Sequence, residues 1–261
     1  MKNEELSRDH ERAFRTQYAE RKERLHGVDT LTAGTPGSIK RHVIRGSPQV
    51  CRVYDARPGD RREAWVAAEA ADTATATADQ WIEFARWVKT QVKHLHSIGF
   101  QVADKNVAKV LTELHNEGLF EAVLVLVGTL NIMALHNEMG IVAVTARTQD
   151  IDLARRQSLQ LGAPLSQLVT RKGTGLGFLS VPGFPAHLPS STASTSGREG
   201  LRVDWLVPGP NLGEIVAVPE LKWSAQTIPY FQYLLDRPER AWMLAGSHCI
   251  PIRLPQAVRM V

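Results

Sequence analysis

The run Ala122-Val123-Leu124-Val125-Leu126-Val127 holds six consecutive apolar positions and stops at a glycine. A stretch of that length, rich in β-branched residues and without polar alternation, predicts a strand buried on both faces rather than a strand with one wet side. Gly128-Thr129 ends it. Ile132, Met133, Leu135 and Met139 then recur at helical spacing up to Gly140, so the reading is strand, glycine step, helix.

The rest of the chain is read outward from that unit. Glu4 to Leu25 is dense in charge with a thin seam of Leu6, Phe14, Tyr18 and Leu25, which predicts a solvent-facing helix. Ile39–Arg45 and Gln49–Tyr54 predict a β-hairpin turning at Gly46-Ser47-Pro48. Ala64 to Asp79 is Ala- and Thr-rich and reads as a linker or an exposed helix. Trp81, Ala85, Val88, Val92 and Leu95 form the stripe of a core-facing helix over Gln80–Ile98, and Val107, Val110, Leu111 and Leu114 form a second one, begun by Asp104 and closed by Gly118. Ile141–Thr145, Thr148–Leu153, Leu201–Leu206 and Glu214–Val218 are expected strands, and Ser158–Leu168 and Ala225–Leu235 expected helices. The stretch 170–200 is filled with Gly, Pro, Ser and Thr and reads as a loop or lid. The expected architecture is α+β: an N-terminal helical and hairpin region over residues 1–118, and a core with a short mixed sheet over 119–261. The apolar ending Arg259-Met260-Val261 suggests a C-terminus that once continued further.

A chain of 261 residues fits one large or two modest domains, and with 43% hydrophobic and 22% charged residues it excludes collagen-like, coiled-coil and wholly disordered classes. No apolar stretch is long enough for a membrane helix, and Met1-Lys2-Asn3-Glu4-Glu5 opens no signal peptide; a cytoplasmic protein without a membrane partner is expected. Cys51 and Cys249 are far apart, without metal spacing, and are expected as buried thiols. The net charge of +4 permits a polyanionic partner without requiring one.

The chemistry concentrates in Asp150-Ile151-Asp152 and in Arg202-Val203-Asp204-Trp205-Leu206. Residues i and i+2 of a strand share a face about 7 Å apart, so Asp150 and Asp152 project together while Ile151 faces inward. Two such carboxylates repel each other unless a cation lies between them, and oxygen-only ligation suits Mg²⁺. Asp204 alternates with apolar neighbours in the same way and supplies a third carboxylate, enough for two metals held about 3.5–4 Å apart. Gly128-Thr129 puts backbone N–H groups at a helix N-terminus, where phosphate oxygens are favoured.

The strings Val125-Leu126-Val127-Gly128-Thr129, Thr148-Gln149-Asp150-Ile151-Asp152-Leu153-Ala154 and Arg202-Val203-Asp204-Trp205-Leu206-Val207-Pro208 together resemble the nucleotidyltransferase fold of the DNA polymerase β superfamily. The closer likeness is to a stand-alone bacterial branch whose upstream elements are similar to Gly37-Ser38-Ile39-Lys40-Arg41 and Gly118-Leu119-Phe120. The resemblance implies transfer of a nucleoside monophosphate from a nucleoside triphosphate such as ATP to an acceptor, with release of pyrophosphate. It implies Asp150, Asp152 and Asp204 as catalytic metal ligands, Asp204 also as general base, and Gly128 and Thr129 as the nucleotide-binding step. Two Mg²⁺ ions, replaceable by Mn²⁺, would be the cofactors. The acceptor is left open between a protein, an RNA and a small molecule, and an antitoxin or other partner protein is left open too. Thr129 stands where Ser is commoner in the superfamily, and Asp150 follows Gly128 by 22 positions, more than in its compact members. A catalytically inactive nucleotide-sensing module and a nucleic-acid-binding regulator are the alternative functions.

Other features read more plainly. Gly173-Thr174-Gly175-Leu176-Gly177 after Arg171-Lys172 lacks the order of a phosphate loop and reads as flexible loop. His94 and His96 point about 200° apart on a helix and cannot share a metal; with His136 they read as surface or boundary residues. Lys40, Arg41, Arg45 and Arg52 cluster on the hairpin, either as a solvated face or as contacts for the phosphates of a nucleic acid. Lys222 is a further candidate near the site.

Overall fold

The structure is a computed structural model that describes residues 7–28, 30–32, 34–57, 60–68, 72–143, 150–155, 202–218 and 223–260. The chain opens with β1 (Ser7–Asp9) and α1 (Arg12–Leu25), followed by β2 (Ser38–Ile44), β3 (Ser47–Arg57) and β4 (Asp60–Ala68). Helices α2 (Asp72–Ser97), α3 (Lys105–Asn116) and α4 (Leu119–Ala122) lead to β5 (Leu124–Val127) and α5 (Gly128–Met139). Then come β6 (Ile141–Ala143), β7 (Asp150–Arg155), β8 (Arg202–Pro208), β9 (Ile215–Val218) and β10 (Trp223–Ile228). A short α6 (Phe231–Leu235), the strands β11 (Glu239–Ala245) and β12 (His248–Leu254), and a 3₁₀ turn at Ala257–Arg259 complete it. This is the α+β class expected from the sequence.

The central sheet runs β5-β7-β8-β10-β9 and is mixed: β7, β8 and β10 are parallel neighbours, while β5 and β9 pair antiparallel at either side. Strand alternation divides its side chains between two environments. Leu124, Leu126, Ile151, Leu153, Val203 and Trp205 enter the larger core with α3, the first half of α5 and the β11–β12 ribbon. Val125, Val127 and Ala154 face the other way and meet Phe231 and Leu235 of α6. All four residues of β5 are buried, but the strand is shorter than the apolar run: Ala122 ends α4 and is exposed, and Val123 is the C-cap of that helix. Helix α3 lies in the same apolar cluster as the sheet.

Several elements differ from the sequence reading. The first helix begins only at Arg12, because Ser7–Asp9 pairs antiparallel with β6. The hairpin turns at Arg45-Gly46, both with positive φ (51° and 78°), so Ser47 and Pro48 already belong to β3. That two-residue turn matches the twist of the strands it joins. The stretch Ala64–Asp79, expected as linker or exposed helix, is divided. Its start is the end of a third strand, β4, with a bulge opposite Val50 and Cys51, and from Asp72 it is the first part of α2, as the helix reading had it. Ala225–Leu235 is not one helix. It is the end of β10 and then α6, because Pro229 interrupts any continuous ladder of helical hydrogen bonds. Ser158–Leu168, the loop 170–200 with Arg171, Lys172 and Gly173–Gly177, and Lys222 lie outside the described residues.

Two buried polar arrangements fasten the N-terminal elements to the core. Glu138, near the end of α5, accepts from the Trp242 backbone N–H (3.0 Å) and from the Tyr18 hydroxyl (3.1 Å), and pairs with Lys22. It thereby joins α1, α5 and β11. Burial, and then the Glu138 charge, push the Tyr18 hydroxyl well above its usual pKa, so it stays a donor. His10 stacks on Phe100 with ring centroids 4.1 Å apart, and burial and then Arg8 hold its pKa below the usual value.

Glu138→Ala removes the acceptor of the Trp242 N–H, the partner of Lys22 and the shorter of two bonds from the Tyr18 hydroxyl, which keeps only Trp242 O at 3.4 Å. Urea unfolding should therefore show a loss of about 2–4 kcal/mol. A second expectation concerns pH. His10 resists protonation in the fold but not in the unfolded chain, so its contribution is lost as pH falls below the unfolded value of about 6.5. The urea midpoint should decline between pH 7 and 5.5, and less steeply in His10→Phe, which keeps the stacking; equal slopes would contradict the assignment.

Candidate active site

The three aspartates sit on strands β7 and β8, on the sheet face that carries Val125, Val127 and Ala154. In β7 the inward residues Ile151 and Leu153 are fully buried, whereas Asp150 is exposed and Asp152 half-buried. Asp204 is half-buried between buried Val203 and Trp205. The register brings them together: Val127 pairs with Asp152, and Asp152 pairs with Asp204. Asp152 and Asp204 are therefore next to each other on parallel strands, at the roughly 4.8 Å spacing of a sheet. Asp150 lies one pleat further along, in register with Arg202. All three aspartates have interaction partners within the fold.

Gly128 is the third part of the site. Its φ of +67° is a left-handed backbone that glycine adopts without strain. A Cβ built there would stand 2.0 Å from Asp152 Oδ2 and 2.8 Å from Asp152 Cγ. The Asp152 carboxylate thus rests against the Gly128 backbone, at the point where α5 begins. The N-cap of α5, Val127, makes no side-chain cap hydrogen bond, and the first turn contains no acidic residue. The leading N–H groups of a helix lack intrahelical acceptors, and the dipole there favours anions. Thr129 is half-buried beside Gly128. A carboxylate pair and an anion-favouring helix end therefore meet at one glycine.

The donor set is all oxygen, which suits a hard divalent cation such as Mg²⁺. Asp152 and Asp204, adjacent by register, are the residues best placed to hold one, with Asp150 on the same face. Among the described residues no group of three His, Cys, Asp or Glu side chains already converges on a single metal position.

The other sequence candidates fall elsewhere. His94 and His96 are exposed on α2, with His94 Nε2 3.0 Å from Gln17 Oε1, and His136 is half-buried. The basic hairpin does not present one aligned face. Lys40 and Arg41 are exposed, but Arg45 occupies the turn rather than the strand. Arg52 is committed to the fold: it donates to Thr35 O (2.6 Å) and Pro36 O (3.0 Å) and lies 4.2 Å from the Tyr54 ring centroid. Both cysteines are buried thiols, and burial followed by the Glu138 charge pushes Cys249 far above the usual thiol range. Sequence reasoning missed two residues. Asn131, one turn into α5, is 1% exposed and donates to Met260 Sδ at 3.2 Å, and Tyr233 stands exposed on α6. A polar residue in an apolar helix stripe was the available signal for the first.

A glycine-led helix start thus lies against a carboxylate on the small mixed sheet. A sequence model described as Nucleotidyltransferase matches residues 105–260, more than half of the chain, and the protein belongs to that family. No curated protein and no solved structure matches it significantly.

Gly128→Ala should be costly on two grounds, the positive φ and the overlap with Asp152. We expect a loss of about 1–3 kcal/mol in urea unfolding, with displacement of the Asp152 carboxylate. Unchanged stability would mean that the close approach is absent in solution.

Proposed function

We propose that the protein is a metal-dependent nucleotidyltransferase of the DNA polymerase β type, from its stand-alone bacterial branch. It moves a nucleoside monophosphate from a nucleoside triphosphate to an acceptor hydroxyl on a protein, an RNA or a small molecule. The observation that carries this reading is the register of Asp152 beside Asp204 with the Asp152 carboxylate against Gly128. That arrangement supports a triphosphate lying across the start of α5, beside the carboxylates. Family membership supports nucleotidyl transfer in general.

In the proposed reaction, the acceptor oxygen forms a bond to the α-phosphorus, the bond from that phosphorus to the bridging oxygen breaks, and pyrophosphate leaves. Gly128, lacking a side chain, makes room for the Asp152 carboxylate, and the first N–H groups of α5 would donate to phosphate oxygens. The Thr129 hydroxyl is a further donor at the same turn. Asp150, Asp152 and Asp204 would hold Mg²⁺ or Mn²⁺, and Asp204 would receive the acceptor proton. Two bound ions supply charge neutralisation on the triphosphate and a more acidic acceptor hydroxyl. The sheet and α5 hold these groups in place beforehand, so catalysis is largely positioning and electrostatics.

Pyrophosphate release, measured with each of ATP, CTP, GTP and UTP plus a cell extract, tests the reading. Asp152→Asn or Asp150→Asn should lower Mg²⁺-dependent release by about a thousandfold while leaving the fold intact, the scale of several kcal/mol for a metal-held charge. Release that survives these changes contradicts the site assignment. Nucleotide binding without any release would favour the sensing module.

A further inference from the structure

A cleft opens where the chain following α1, helix α2 and the turn of the β11–β12 ribbon meet. Leu31, Pro36, Trp81, Phe84, Val88 and His248 are among its walls. Among the described residues no Lys, Arg, Asp or Glu lines it, and neither β5, β7, β8 nor α5 takes part. Trp81 heads the apolar stripe of α2, yet it is 40% exposed, whereas Val88, Val92 and Leu95 of the same stripe are buried. It stands edge-on to Phe84, with ring centroids 6.2 Å apart. Trp81 is thus a wall of the cleft more than a part of the core.

His248 sets what such a cleft accepts. Its Nε2 lies 3.0 Å from Thr32 O. A carbonyl oxygen only accepts, so Nε2 carries the proton and Nδ1 is a bare acceptor. Burial holds the imidazole below its usual pKa, against the Thr32 bond and with the help of the Arg52 charge, so the ring is neutral near pH 7. Nδ1 is buried and has no hydrogen-bond partner among the described residues. A buried acceptor without a donor costs stability, and a ligand that brings an N–H or O–H group removes that cost.

We propose that this cleft binds an uncharged aromatic small molecule carrying one N–H or O–H group, with its ring against Trp81 and Phe84 and its donor on His248 Nδ1. Concave, mostly apolar walls with a single fixed polar group are the usual form of a small-molecule site. The walls carry no counter-charge, so an ionic ligand would lose its hydration without compensation. The site lies apart from the aspartate row and does not depend on nucleotidyl transfer.

Indole and indene have nearly the same shape and differ in one N–H group, so together they isolate the hydrogen bond. Each is titrated into protein with ¹⁵N-labelled tryptophan, following the Trp81 side-chain signal, which its loss in Trp81→Phe identifies. Indole should shift that signal saturably, and indene should bind at least tenfold more weakly. In His248→Phe, which keeps a ring at the position, the two should bind alike. Equal affinity of the wild-type protein for both probes overturns the proposal, as does the absence of a saturable shift with indole. A folded His248→Phe protein that still prefers indole overturns it too. The wild-type comparison decides by itself if that variant does not fold.

Discussion

The pairing of Asp152 with Asp204 across parallel strands governs what this fold can do. Side-chain direction alternates along a strand, so a one-residue slip of either strand would turn its aspartate into the apolar core and bring Ile151 or Val203 to the outer face. The register is set by burial: Ile151 and Leu153 are fully buried, and Val203 and Trp205 nearly so, on the face that meets α3, α5 and the β11–β12 ribbon. The aspartates are thus held by the packing of their neighbours. The apolar side of the sheet determines the geometry of the polar side.

The same logic extends to the helix end. β5 pairs antiparallel with β7, which places Val127 against Asp152 and forces the next residue, Gly128, under the carboxylate. A Cβ there would overlap the carboxylate, and the chain passes from β5 into α5 through a left-handed residue that favours glycine. Helix α5 is in turn fastened at its far end by Glu138 to α1 and β11. The N-terminal elements therefore steady helix α5 from the end opposite Gly128.

Much of this was legible in the sequence because it rests on local pattern. The alternation around Asp150, Asp152 and Asp204 follows from strand periodicity and falls on the expected strands. The Gly128-Thr129 step opens the expected helix, and the apolar run falls on β5 from Leu124 onward, its first two residues ending α4. What stayed hidden depends on distant partners. Ser7–Asp9 becomes a strand only because β6 is there to pair with it. The β11–β12 ribbon went unread: Pro251 lies within β12, in register with Trp242, and proline is an uncommon strand residue. Pro229 should have divided the expected helix over Ala225–Leu235, and Ala225, buried in the sheet core, belongs to a strand. The adjacency of Asp152 and Asp204, 52 positions apart, is a property of pairing, which no local pattern encodes.

The central claim is that the aspartate row and the Gly128 turn form one site for a metal and a nucleotide. Mn²⁺ binding followed by electron paramagnetic resonance, with and without a non-hydrolysable nucleoside triphosphate, tests it most directly. The account predicts that the nucleotide tightens Mn²⁺ binding in the wild-type protein and that Asp152→Asn and Asp204→Asn each abolish the bound signal while far-UV circular dichroism stays unchanged. Mn²⁺ binding that ignores the nucleotide, or that persists in folded Asp152→Asn protein, would contradict it.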